Sequence, residues 1–157
     1  MLFHWFIAFL PPLLILGLPR LVTKLSGKKS PGIGLLVAAS AVFAISWFLP
    51  SPTIEGVDTS FTTHIVGGGL FSGFVWLYLL KHLRLDINLV SLLYLFGIVS
   101  ALGAANELLE LFLVEVFDYR INTHETNWDI LANTIGAVVF TIVLGVTRAV
   151  RSRVRSN

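Results

Sequence analysis

Two carboxylates on one helical face are the first feature of this sequence that could carry chemistry. Glu107 and Glu110 are three residues apart, and Asn106 is four residues from Glu110, so a helix places all three side chains on one side. The surrounding run is apolar, and a charged side chain at the centre of a bilayer costs about 2.5–3.5 kcal/mol. We therefore expect these acids to face the interior of a helical bundle as general acid and base. The simpler interpretation is two acids reaching the membrane surface from a helix end.

The stretch DTSFTTH, Asp58–His64, directly precedes another apolar run. Asp, Ser and Thr side chains commonly cap a helix by accepting hydrogen bonds from its first amides. Capping does not require His64, which we interpret as a proton carrier. Gly69 and Gly73 follow in a GxxxG spacing, which predicts close packing against a second helix.

The stretch HETNWDILANTIGA, His124–Ala137, opens the last apolar run. Thr126 and Asp129 fit a capping box, in which the two side chains satisfy amides at the start of a helix. Capping does not explain Asn133, which lies one turn deeper on the same face as Asp129. It also leaves His124 without a structural role, so this stretch predicts a functional helix face as well as a helix start.

Composition places these residues in a membrane protein. Of 157 residues, 55% are hydrophobic and 13% are charged, whereas a soluble domain is about 25% charged. The chain has no cysteine, which excludes disulfide and thiolate chemistry. We predict an all-α, polytopic transmembrane bundle that forms a single domain over residues 1–157. The apolar runs predict five membrane helices, at about residues 2–18, 33–49, 64–81, 88–116 and 128–147.

The basic residues predict how this bundle sits in the membrane. Ten of the 11 Lys and Arg residues lie between runs one and two, between runs three and four, or after run five. With five spans these segments share one side, which the positive-inside rule makes cytoplasmic. We expect a prokaryotic cytoplasmic membrane, with the N-terminus outside and the C-terminus in the cytoplasm. If the first run does not cross, the N-terminus lies inside and the rest is unchanged.

This topology brings the three polar stretches to the outer face, which predicts an acidic pocket there. The candidate catalytic residues are Glu107, Glu110, His64 and Asp129. The candidate ligand-binding residues are Asp58, Asn106, Arg120, His124 and Asn133. The spacing contains no closed set of metal ligands, so we predict no metal and no cofactor. A nucleic-acid partner is not expected either.

In these stretches the chain resembles the VanZ-like family of small bacterial membrane proteins, and it is also similar to YjdF-like membrane proteins. The resemblance runs from about Asp58 to Gly145. The matching positions are Asp58 with His64, then Glu107-x-x-Glu110, Arg120 in the loop, and Asp129-x-x-x-Asn133-x-x-Gly136. Glu110 stands where the family pattern has Gln, and Asp58 and His64 are further apart than in that pattern.

The resemblance implies a cell-envelope setting and an association with antibiotic resistance of the teicoplanin type. It implies a site but no particular reaction. We therefore expect the protein to bind or process a membrane lipid, or a lipid-linked or glycopeptide-type envelope ligand, at the outer leaflet. Whether it is an enzyme stays open. The alternatives are a structural or accessory subunit of a homo- or hetero-oligomeric membrane complex, and an ion or proton pathway.

Overall fold

A computed structural model describes residues 2–54, 56–117 and 126–156. Two-residue strands β1 and β2 pair antiparallel, and the rest of the ordered structure is helical, which confirms the all-α class. The π-helix joins α3 to α4 without a break, so Phe61–Leu83 is one long helix. The elements are α1 Leu2–Ser26, α2 Gly34–Ser46, β1 Thr53–Ile54, β2 Val57–Asp58, α3 Phe61–Thr63, the π-helix His64–Leu70, α4 Phe71–Leu83, α5 Leu89–Phe117 and α6 Thr126–Ser156.

Several helices have the length and composition of membrane spans. In the described part of the chain, three are long and apolar enough to cross a bilayer, namely Phe9–Ser26, Phe61–Leu83 and Trp128–Val150. The shorter helix Gly34–Ser46 and the apolar segment Leu89–Ala105 of α5 lie within the other two predicted runs. Exposed apolar side chains such as Leu13, Leu93 and Ile142 cover the outer faces of the helices. A surface that contacts lipid requires this distribution.

Two helices are longer than the apolar runs that predicted them. The first run was predicted to end at residue 18, but α1 continues to Ser26 with Pro11, Pro12 and Pro19 inside it. The last run was predicted to end at residue 147, but α6 continues through the arginine-rich tail to Ser156. The backbone hydrogen bonds of a helix do not depend on side-chain polarity. A helix can therefore extend beyond the apolar segment that marks its membrane portion.

Glycines set the Phe61–Leu83 helix against α6. A Cβ at Gly69 would collide with the backbone of Gly136, and a Cβ at Gly73 would collide with the ring of Phe140. These contacts confirm the close packing predicted from the GxxxG spacing. Because Gly69 meets Gly136 and Gly73 meets Phe140 in the same chain direction, the two helices run parallel.

α5 runs antiparallel to α6 and completes the core. Gly103 of α5 lies against Asn133, whereas Leu92 near its start lies against Gly145. Between these contacts, Leu95 and Val99 of α5 pack against Ala137 and Phe140. The end of α5 and the start of α6 therefore lie at the same end of the bundle.

Contacts at the other end join the end of α1 and the α1–α2 connection to α4. Ser26 Oγ lies 3.0 Å from His82 Nε2, and Ser30 Oγ lies 3.1 Å from the Tyr78 hydroxyl. His82 is only 1% exposed. His82 is therefore part of a buried polar network between helices.

The glycine contacts predict opposite effects for two substitutions in apolar helices. Gly69→Ala should lower the free energy of unfolding by about 1–3 kcal/mol, because the added methyl group forces the backbones apart. Gly97→Ala should raise it by about 0.5–1 kcal/mol, because Ala favours the helix and, among the described residues, no atom beyond the adjoining helix backbone lies within 4 Å of the added Cβ. Denaturant unfolding of the purified proteins in detergent measures both. Equal effects of the two substitutions would contradict the proposed packing.

Candidate functional site

Three helices bring His64, Glu107 and Asp129 together. His64 is the first residue of the π-helix, Glu107 belongs to α5, and Asp129 lies in the first turn of α6. One nitrogen or oxygen atom from each side chain lies within 4.8 Å of the other two. Glu107 and Asp129 are each only 4% exposed. These three residues and Asn133 are called the buried centre below.

The imidazole of His64 links two residues of α6. Its Nε2 lies 3.3 Å from Asp129 Oδ1, and its Nδ1 lies 3.3 Å from Asn133 Nδ2. With the amide in this orientation, Nδ2 donates a hydrogen bond to Nδ1, so the ring proton is on Nε2, on the side of the ring that contacts Asp129. The orientation of the Asn133 amide therefore sets the tautomer of His64.

Two glycines hold the Asn133 side chain in place. A Cβ at Gly68 would overlap Asn133 Oδ1, and a Cβ at Gly103 would lie 2.9 Å from Asn133 Nδ2. Asn133 is 4% exposed, so its amide is enclosed between the π-helix and α5. The sequence reasoning missed Gly68 and Gly103 as parts of the site. Their only signal was the presence of glycine inside an apolar helix, where it has a low intrinsic preference.

The π-helix has a local origin in the sequence. Residues His64–Leu70 read HIVGGGL, and the three consecutive glycines weaken the preference for ordinary α-helical turns. The segment is anchored at its start, because Thr63 Oγ1 donates to the Ser46 carbonyl at 3.2 Å. π-Helical turns are rare and are frequent at functional sites. Here the π-turn carries His64 at one end and Gly68 and Gly69 on the side that meets α6.

This arrangement has the parts of an acid–base site. An imidazole oriented by a carboxylate and an amide can accept or donate a proton at a defined position. Glu107 adds a second carboxylate from another helix, close enough to act with the imidazole on one bound group. The same nitrogen and oxygen donors are also chemically suited to a metal ion.

The remaining candidate residues take other positions. Asp58 is exposed, and its Oδ1 accepts a hydrogen bond from the Ser60 amide at 2.9 Å, which stabilises the turn before α3. The backbone of Asn106 and Glu110 lies in α5, but their side chains are outside the described structure. Arg120 and His124 fall on residues 118–125, which also lie outside it.

A groove of about 580 Å³ lies between the end of α4 and the start of α5. Its walls include Trp76, Arg84, Asp86 and Tyr94. Trp76 is 12 residues beyond His64, which corresponds to about 18 Å along a helix. This groove therefore belongs to the opposite end of the bundle and is separate from the buried centre.

The enclosed position of the Asn133 side chain predicts that its amide stabilises the fold. Asn133→Ala should lower the free energy of unfolding by about 1–2 kcal/mol, because it removes the partner of His64 Nδ1 and leaves a void between two glycines. Thr134→Val is the matched control. It removes only the local bond from Thr134 Oγ1 to the Ile130 carbonyl, so its effect should stay within about 0.5 kcal/mol. Unfolding in detergent measures both, and equal losses would argue against a supporting role for Asn133.

Comparison with known proteins does not assign the chain to a family. No family model matches the chain, and neither the curated proteins nor the solved structures contain a significant match. The resemblance to VanZ-like proteins stays a prediction from its short motifs.

Proposed function

We propose that this is a five-span membrane protein that binds or processes a polar component of the cell envelope at the outer leaflet. The buried centre is its site. The observation that carries the proposal is the convergence of His64, Glu107 and Asp129 from three helices. Ionisable side chains in membrane helices are costly to keep, so those that face a bundle interior commonly serve function.

The position of the buried centre along the helices supports a site close to one membrane surface. His64 and Asp129 lie near the N-terminal ends of the candidate spans Phe61–Leu83 and Trp128–Val150. Three residues of helix correspond to about 5 Å, so His64 lies shallow in its span. Since these two helices run parallel and α5 ends beside them, a ligand at one surface could reach all three side chains.

The basic residues support the outer leaflet as that surface. Lys28 Nζ donates to the Leu83 carbonyl at 2.7 Å, so the basic α1–α2 connection lies beside the end of α4, far from His64. Lys81 and Arg84 lie at the same end of the bundle. The positive-inside rule assigns such an end to the cytoplasm. The buried centre then belongs to the outer half of the membrane.

The chemistry of the buried centre suits a ligand with hydroxyl, amine or sugar groups. Asp129 and Asn133 orient His64, which can carry a proton to or from a bound hydroxyl group. Glu107 serves as the second acid or base. A lipid-linked or glycopeptide-type envelope component has these groups. Such a ligand also agrees with the VanZ-like resemblance.

A structural role is the second candidate function, and one observation favours it. Asn133 is packed between Gly68 and Gly103, so it joins the π-helix, α5 and α6. If this bracing is the main role of the polar residues, the protein is a non-catalytic subunit of a membrane complex. The two functions differ in whether folding survives the loss of the carboxylates.

Isosteric substitutions separate the two functions. Glu107→Gln and Asp129→Asn should leave expression and folding close to normal, but they should reduce glycopeptide tolerance to that of a strain lacking the protein. Glu115→Gln is the matched control, because Glu115 is an exposed acid on the same helix as Glu107. Susceptibility tests and size-exclusion profiles in detergent provide the readouts. Misfolding of both variants would favour the bracing role, and unchanged tolerance in folded variants would exclude the proposed site.

Labelling of single cysteines tests the five-span topology, since the native chain contains no cysteine. In intact cells a membrane-impermeant maleimide should label Thr53→Cys and a cysteine added at the N-terminus. Lys29→Cys and Asp86→Cys should react only after the membrane is permeabilised. Protection of the N-terminal cysteine alone would mean that α1 does not cross. Protection of Thr53→Cys would overturn the outward orientation of the buried centre.

A further inference from the structure

The buried centre also has the donor set of a metal site. We propose that His64 Nε2, Asp129 and Glu107 bind one divalent transition-metal ion of the Zn²⁺ type. This inference rests on the proposed function and deepens it, because it concerns the same site. It differs from the sequence-based prediction of no metal. The three residues lie 43 and 22 positions apart in the sequence, so no short motif could reveal them.

The distance between two of the donors fits a shared metal ion. His64 Nε2 and Asp129 Oδ1 are 3.3 Å apart. A hydrogen bond between a charged donor and a carboxylate is usually shorter, at about 2.7–2.9 Å. Two ligands of one tetrahedral Zn²⁺, each at about 2.0–2.1 Å, are separated by about 3.3–3.4 Å. The pair therefore already has the spacing of two ligands, and small side-chain rotations would bring in a Glu107 oxygen from within 4.8 Å.

Asn133 can support the imidazole as a metal ligand. An imidazole that binds metal through Nε2 carries its proton on Nδ1 and donates it to a neighbouring oxygen. Rotating the Asn133 amide by half a turn exchanges its oxygen and nitrogen in nearly the same volume. Oδ1 then accepts the Nδ1 proton, and the lone pair of Nε2 is available to the ion. Because Asn133 supplies both a donor and an acceptor, it fits His64 with and without metal.

The charges of the donor set also match a divalent ion. Two carboxylates and a neutral imidazole carry a charge of −2, so one M²⁺ ion makes the set neutral. Neutralisation lowers the free-energy cost of keeping carboxylates in a buried site. A nitrogen ligand favours Zn²⁺ and related ions over Mg²⁺ and Ca²⁺, which prefer oxygen ligands only. Three protein ligands leave a fourth position for water or a ligand group, as in reactive zinc sites.

Direct metal binding by the full-length protein tests the inference. The protein is purified in detergent, treated with a chelator and titrated with ZnCl₂ by calorimetry. We expect one ion per chain. Co²⁺, which replaces Zn²⁺ and absorbs visible light, should give the intense bands of a tetrahedral site. This measurement on the native protein does not depend on how any variant folds.

Variants then identify the ligands. Glu107→Gln and Asp129→Asn should each weaken Zn²⁺ binding by at least about 100-fold, and Asn133→Ala by about 10–100-fold, as supporting residues do in other sites. Glu115→Gln should leave binding unchanged. Thermal unfolding and size-exclusion profiles establish that each variant is folded. Rescue of binding in an Asp129→His variant, which restores a ligand atom, would further identify position 129.

Each outcome has a definite meaning. Failure of the folded native protein to bind Zn²⁺ or Co²⁺ in a one-to-one ratio overturns the metal site. Undiminished binding by folded Glu107→Gln or Asp129→Asn does so too, because the ligands are then elsewhere. These tests involve no envelope ligand. If the native protein binds no metal but the variants lose glycopeptide tolerance, the metal site is overturned and the proposed function stands. If the variants lose metal binding but keep normal tolerance, only the proposed function is overturned.

Discussion

The close approach of the π-helix to α6 at Gly69 and Gly136 sets the geometry on which the buried centre depends. Without a Cβ on either residue, the two backbones come into direct contact. One turn before Gly136, Asn133 reaches His64 across the same interface. A wider separation between the helices would lengthen the 3.3 Å contacts of the imidazole with Asn133 and Asp129 together. The close packing at the small residues therefore also positions the polar side chains of the buried centre.

An apolar environment explains why the polar groups are arranged internally. Lipid offers no hydrogen bonds, so a polar side chain on a membrane helix needs partners within the bundle. His64 is satisfied in this way by α6. At the other end, His82 meets Tyr78 and Ser26, with 3.4 Å from its Nδ1 to the Tyr78 hydroxyl. The same low polarity strengthens electrostatic interactions inside the buried centre.

Local sequence patterns identified most of the candidate residues, but they did not show which of these residues lie together in one site. His64, Glu107, Asp129 and Asn133 were all among the candidates. Helix capping does not explain His64, Glu107 or Asn133, and Asp129 shares a helix face with Asn133. Helical periodicity treated Glu107 and Glu110 alike, since both lie on one face. It could not show that Glu107 meets His64. The shared stretch DTSFTTH also grouped Asp58 with His64, although the Asp58 carboxylate instead stabilises a turn.

Local sequence patterns also failed to predict where some of the helices end. Hydropathy located the apolar runs, since transfer to lipid depends on side-chain composition summed along the chain. It did not locate the ends of α1 and α6, which extend into polar sequence because backbone hydrogen bonds continue there. The π-helix was also invisible to periodicity, because a single widened turn leaves the apolar character of the run unchanged.

The sequence by itself determined that this is a membrane-type helical protein with its polar residues collected in three stretches. Composition and charge distribution suffice for that, because both act residue by residue. Only the tertiary structure decided that His64, Glu107 and Asp129 share one buried centre and that Asn133 supports it. The rotation and axial shift between helices decide this, and they depend on which small residues meet across each interface. That matching is a property of pairs of distant residues, so no single stretch of sequence contains it.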